Sequence, residues 1–146
     1  MKRNVFLFFF GFIVFSTMSV YGQEYDSQAL RYFKSSIENL MNGNYVKAIE
    51  DSTRVIRIDP NSAVTYVVRA RAYFEMGDLD RAIADSTQAI RRDRNNIGAY
   101  TIRGNAYVKK GDTDKAIADW NAILKINPNS DDAKLNIERA GLQLGF

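Results

Sequence analysis

The sequence contains no cysteine, no histidine and only two prolines among 146 residues. Without cysteine there can be no disulfide, no thiolate metal site and no lipid attached at a lipobox cysteine. Without histidine the commonest general base is missing, and with both absent so are the usual transition-metal ligands. Any catalysis would have to rest on carboxylates alone. There is no N-x-S/T sequon either, which agrees with a bacterial source. What is present, 46% hydrophobic and 25% charged residues, is the composition of one ordinary folded unit rather than of a disordered chain.

The first 22 residues stand apart from that unit. Lys2 and Arg3 precede an apolar stretch from Val5 to Phe15, and a small, polar run from Ser16 to Gly22 follows. That is the layout of a secretory signal, with cleavage expected after Gly22, leaving residues 23–28 as a short leader. The expected location is therefore periplasmic or extracellular. The alternative is an uncleaved N-terminal anchor, for which the apolar stretch is short against the roughly 17 residues needed to span a bilayer. Removing the signal takes away Lys2 and Arg3, so the formal charge falls by two from +3. The pI of about 9.2 is thus no polyanion-binding footprint, and nucleic acid is not an expected partner.

Self-comparison finds one dominant offset, 34 residues. Residues 29–62, 63–96 and 97–130 align without a gap: Tyr32, Tyr66 and Tyr100 share a phase, as do Gly43, Gly77 and Gly111, and Ala48, Ala82 and Ala116. Each unit reads as two helices with a stop between them. Tyr66, Ala70, Tyr73 and Phe74 follow helical spacing before Gly77, which suits a left-handed helix end. Ala82, Ile83, Ala89 and Ile90 form the stripe of the next helix, which Asp80, like Asp114 one unit later, is placed to cap. Asp59-Pro60-Asn61 and Asn127-Pro128-Asn129 close the first and third units, because proline cannot continue a helix. In unit two Arg94 replaces the proline, which predicts a straighter junction. Small residues at the eighth position, Ser36, Ala70 and Gly104, facing the invariant alanine of the twentieth, predict closely packed helical hairpins. Residues 131–146 read as a terminal capping helix, with Ala133, Ile137, Ala140 and Leu144 on one stripe.

At these positions the sequence resembles the tetratricopeptide repeat family. Unit three carries Tyr100, Gly104, Tyr107, Ala116, Trp120 and Pro128, unit two Tyr66, Ala70, Tyr73, Ala82 and Ala89, and unit one Tyr32, Ser36, Ala48 and Pro60. The resemblance implies an all-α, right-handed superhelical array of three hairpins with a C-terminal cap. It also exposes two departures: Arg69 and Arg103 at the seventh position, and Asp51, Asp85 and Asp119 at the twenty-third. Their joint occurrence predicts Arg–Asp pairs between neighbouring helices that fix register more than they add stability.

Few residues are candidates for chemistry. Gly77-Asp78-Leu79-Asp80 and Gly111-Asp112-Thr113-Asp114 lack the spacing and final glutamate of a calcium loop and read as turns with helix caps. Arg91-Arg92-Asp93-Arg94 reads as cations at a helix C-terminus rather than a phosphate site. Trp120 reads as core. The expectation is a protein that is not an enzyme and has no cofactor and no metal.

In the resembled family the first helices of successive repeats line a concave groove. The corresponding positions are Leu30, Phe33, Ile37, Leu40 and Met41 in unit one, Val64, Val67, Arg71, Phe74 and Glu75 in unit two, and Gly98, Thr101, Asn105, Val108 and Lys109 in unit three. The groove thus grades from apolar to polar and mildly basic, which suits an extended peptide or helix with hydrophobic anchors and an acidic end. Phe33, Ile37, Val67, Arg71, Phe74, Thr101 and Asn105 are the expected contacts with a partner protein. The family's chaperone-tail carboxylate clamp is not expected, since its positions hold Phe33, Ile37, Val68, Gly98 and Ile102. The alternative function is self-association, in which the apolar end builds a homodimer or an envelope assembly. A membrane is expected as a partner only if the N-terminal segment stays attached.

Overall fold

The computed structural model describes residues 27–144, with side chains through residue 141. The signal, residues 23–26 of the leader, residues 145–146 and the Leu144 side chain lie outside the described residues. Those described form seven helices and no strand. They are α1 (residues 27–41), α2 (Tyr45–Ile58), α3 (Ala63–Glu75), α4 (Leu79–Arg92), α5 (Ile97–Lys110), α6 (Thr113–Ile126) and α7 (Asp131–Leu144). Residues 27 and 28, counted in the leader, are already helical. None of these helices is long and apolar enough to cross a membrane.

Each hairpin turns at its glycine. Gly43, Gly77 and Gly111 have φ of 76°, 81° and 83°, a region that a side chain disfavours. The amides that follow satisfy carbonyls of the ended helix: Asp78 N–H donates to Tyr73 O at 2.9 Å, Asp112 N–H to Tyr107 O at 2.9 Å and Asn44 N–H to Asn39 O at 2.8 Å. The next helix is capped two residues earlier than its sequence indicates. Asp78 is the N-cap of α4 and accepts from the Arg81 amide at 3.1 Å, while Asp80 lies inside the first turn and pairs with Lys110 of the following repeat. Asp112 likewise takes the place expected for Asp114. At N2 a carboxylate still complements the helix dipole, so the charge pattern at both positions is the same.

The junction after unit two is no straighter than the others. The residue ending each second helix is extended: Asp59 (φ −124°, ψ 91°), Asp93 (φ −136°, ψ 101°) and Asn127 (φ −132°, ψ 94°). Each side chain then accepts the amide two residues on, Asn61, Asn95 and Asn129, at 2.9, 3.0 and 3.2 Å. This Asx turn sets the break, and the proline beside it is dispensable. Arg92 further ties the junctions together. Its guanidinium stacks 4.2 Å from the Tyr66 ring centre and its Nε donates to Pro60 O at 2.7 Å, so this arginine is a structural bolt rather than an anion ligand.

The core is made of small side chains. Ala48, Ala70, Ala82, Ala89, Ala99, Ala106 and Ala116 are fully buried, and the largest side chains buried to the same degree are Thr65, Ser36, Ser52 and Ser86. Small residues let helix axes approach, so packing here comes from close backbone contact. At the C-terminal end the pattern changes: Trp120 stands where the other repeats have Ser52 and Ser86, and it anchors a cluster with Ala116, Ile123, Ala133 and Ala140. Gly104 makes the space, since a Cβ there would lie 2.9 Å from Trp120 Nε1. Trp120 is therefore core, as its phase implies, and the cap stripe of Ala133, Ile137 and Ala140 packs on it.

The Arg–Asp pairs form as a ladder. Arg69 Nε lies 2.7 Å from Asp85 Oδ2 and its NH2 2.8 Å from Oδ1; Arg103 meets Asp119 in the same bidentate way at 2.9 and 2.6 Å. Each arginine also donates across to the preceding repeat, to Thr53 and Thr87 Oγ1, both at 3.0 Å. In unit one Ser35 replaces the arginine and donates to Asp51 at 2.7 Å. The carboxylate hydrogen bonds raise the pKa of both guanidinium groups above their ordinary value, against the opposing effect of burial. A raised base contributes its stability in full below its ordinary value and loses it only above, so these bonds persist at every physiological pH.

Candidate functional site

The first helices form the inner layer of the array. α3 and α5 pack directly on each other, with Val67 Cγ1 3.6 Å from where a Cβ on Gly98 would lie, whereas no Cα of α2, α4 or α6 comes within 8 Å of a Cα of another of the three. Pairing on one side only curves the array and makes the α3–α5 face concave. α7 breaks the pattern. It packs against α6, yet none of its Cα atoms comes within 8 Å of a Cα of α5. The gap is a cleft of about 320 Å³. Phe74 of α3 and Asn105, Val108 and Lys109 of α5 form one side, Asn136, Arg139 and Ala140 of α7 the other, and Trp120 of α6 the floor. The Lys109 ammonium sits 4.3 Å from the Phe74 ring centre.

Of the seven expected contact residues, the structure brings Phe74 and Asn105 together in this cleft. The other five lie elsewhere. Phe33 and Ile37 are half-buried on α1, at the far end of the array. Val67 is half-buried and packs against two core clusters, so its role is largely structural. Arg71 is exposed, and Glu75 neutralises it within α3 at 2.7 Å. Thr101 turns its hydroxyl back to Ile97 O at 2.9 Å. At two of the clamp positions, Val68 and Ile102 are buried and cannot reach a ligand.

Asn136 and Arg139 are the residues that sequence reasoning misses. α7 begins 34 residues after α5 and has the same length, so it stands in the register of a first helix of a fourth unit. Read in that register, Arg139 takes the groove position that Asn105 takes in unit three. Among the described residues no cluster of acidic side chains is placed to hold a metal ion.

A curved solenoid of helical hairpins with its first helices lining a groove is the architecture of a helical-repeat scaffold protein. A tetratricopeptide repeat model matches residues 67–136. Similar solved structures include the second repeat domain of Spaghetti (RPAP3) bound to an HSP90 peptide, 30% identical, covering 73% of this chain and 98% of that one at a TM-score of 0.69. The second such domain of human RPAP3, in complex with an HSP70 peptide, is 28% identical, with 80% and 98% covered and a TM-score of 0.76. The domain of Arabidopsis OM64 is 25% identical, with 80% and 97% covered and a TM-score of 0.77. No curated protein matches the sequence. The chain belongs to the tetratricopeptide repeat family. Proteins of this family are generally non-catalytic scaffolds.

Proposed function

We propose that this protein is an exported, non-catalytic scaffold that holds an extended peptide or helix of another protein in its concave groove. The observation that carries the reading is the open cleft at the C-terminal end of the first-helix layer, where apolar, amide and cationic side chains converge. The peptide-bound structures of similar domains support the same mode of use. Export rests on the N-terminal signal pattern alone. The test is site-specific photocrosslinking in intact cells, with the crosslinker at Phe33, Phe74 or Asn105 on the first helices, or at exposed Arg57 and Lys125 on the second helices. One partner captured from the first-helix sites and not from the controls is expected. Capture only from the controls, or equally from both, would sink the groove assignment.

The second reading is self-association. Leu30, Met41, Val46 and Met76 are more than half exposed at the N-terminal end, with Met41 at 81%. Large apolar side chains in that number favour a covering partner, which a second copy could supply.

A further inference from the structure

We propose that the cleft between α5 and α7 anchors an extended peptide segment of a partner protein in which an acidic residue stands next to a large apolar one. This rests on the groove reading above and assigns it a place and a ligand chemistry.

Charge is the first argument. Lys109 and Arg139 both line the cleft, no carboxylate lines it, and neither cation meets a carboxylate among the described residues. Nearby cations behave otherwise: Arg71 reaches Glu75, Arg103 reaches Asp119 and Lys110 reaches Asp80. Two cations left without counter-charge around one hollow favour an anionic occupant.

Hydrogen bonding is the second. The Asn105 and Asn136 amides are half-buried in the cleft and have no partner among the described residues. A primary amide offers donor and acceptor together, the complement of a peptide unit, so two of them facing one channel suit an extended backbone. The apolar floor is the third. Phe74, Val108 and Trp120 offer a surface that a free inorganic anion would not use, and about 320 Å³ holds one or two side chains rather than a whole folded element.

Trp120 is the only tryptophan in the chain, so its fluorescence reports on the cleft. The probes are end-blocked peptides Gly-Ser-Glu-Leu-Glu-Phe-Gly-Ser and its Gln and Lys counterparts, titrated into the purified protein at two salt concentrations. The acidic peptide is expected to bind about tenfold or more tighter than the Gln peptide, an advantage that shrinks as salt rises. The double variant K109A/R139A should erase that advantage, and R139E should shift the preference toward the Lys peptide. The altered side chains are exposed, so circular dichroism should show an unchanged fold. Equal binding of the acidic and Gln peptides, or an acidic advantage that survives K109A/R139A, would overturn the inference and leave the groove reading standing. No Trp120 response to any peptide, with first-helix photocrosslinks still present, would overturn it in the same way.

Discussion

At the residue scale, the paired departures at the seventh and twenty-third positions show what a substitution can and cannot reveal. An arginine where the family has leucine and an aspartate on the facing helix are legible as a pair because each alone would strand a charge. The threonine that completes each rung is not, since Thr53 and Thr87 look like ordinary helix residues until the neighbouring repeat is in place. The Arg69 and Asp85 side chains keep 17% and 9% of their exposure, so desolvation and attraction nearly cancel while removal of one partner is costly. Asp85→Ala should therefore lower stability by about 2–3 kcal/mol, whereas Arg69→Leu with Asp85→Leu should return to within about 1 kcal/mol of the parent. Urea unfolding of the three proteins decides this. A double variant as unstable as Asp85→Ala would mean that the ladder contributes net stability rather than register.

At the element scale, helix order, length and the 34-residue period are all written in the glycines, the alanines and the stripe spacing, and the structure follows them closely. The junctions are less legible, because proline is the visible signal and the aspartate or asparagine before it sets the geometry. Asp93 already has the extended backbone that a following proline requires, and Pro60 and Pro128 occupy the matching place in the other units. Arg94→Pro is therefore expected to be neutral or to stabilise by about 0.4–1 kcal/mol through the unfolded chain. A loss above that size on thermal unfolding would show that junction two differs from its neighbours. α7 is the other partial reading. Its apolar stripe identifies a cap, but its polar residues acquire meaning only when the helix is counted as a fourth first helix, which places Asn136 and Arg139 across from Asn105. Trp120, in place of the serine of the other units, lies against Gly104 of α5 and packs with Ala133 and Ala140 of α7; its bulk shows in the sequence, but its place between these helices does not.

At the scale of the whole molecule, the two ends decide whether the array can grow. In α3 and α5 the residues that face the preceding helix are buried: Thr65, Val68 and Ala72, then Ala99, Ile102 and Ala106. The same phases in α1 are Arg31, Lys34 and Glu38, all exposed. At the other end Lys134 and Glu138 stand exposed where Tyr100 and Gly104 of α5 face their own second helix. Stacking end to end would bury these charges without partners arranged to meet them, at a cost that the small apolar area between them could not offset. End-to-end stacking of the described helices is thus disfavoured, and the exposed apolar side chains Leu30, Met41, Val46 and Met76 offer a second copy a better surface. The groove reading accordingly expects light scattering behind size exclusion to show a monomer over a hundredfold range of concentration. A dimer that dissociates on dilution would place a second copy on that apolar side. The self-association reading would then take precedence for the α1 end, while the cleft at α7, remote from it and bounded by Lys109 and Arg139, would remain open to a different partner.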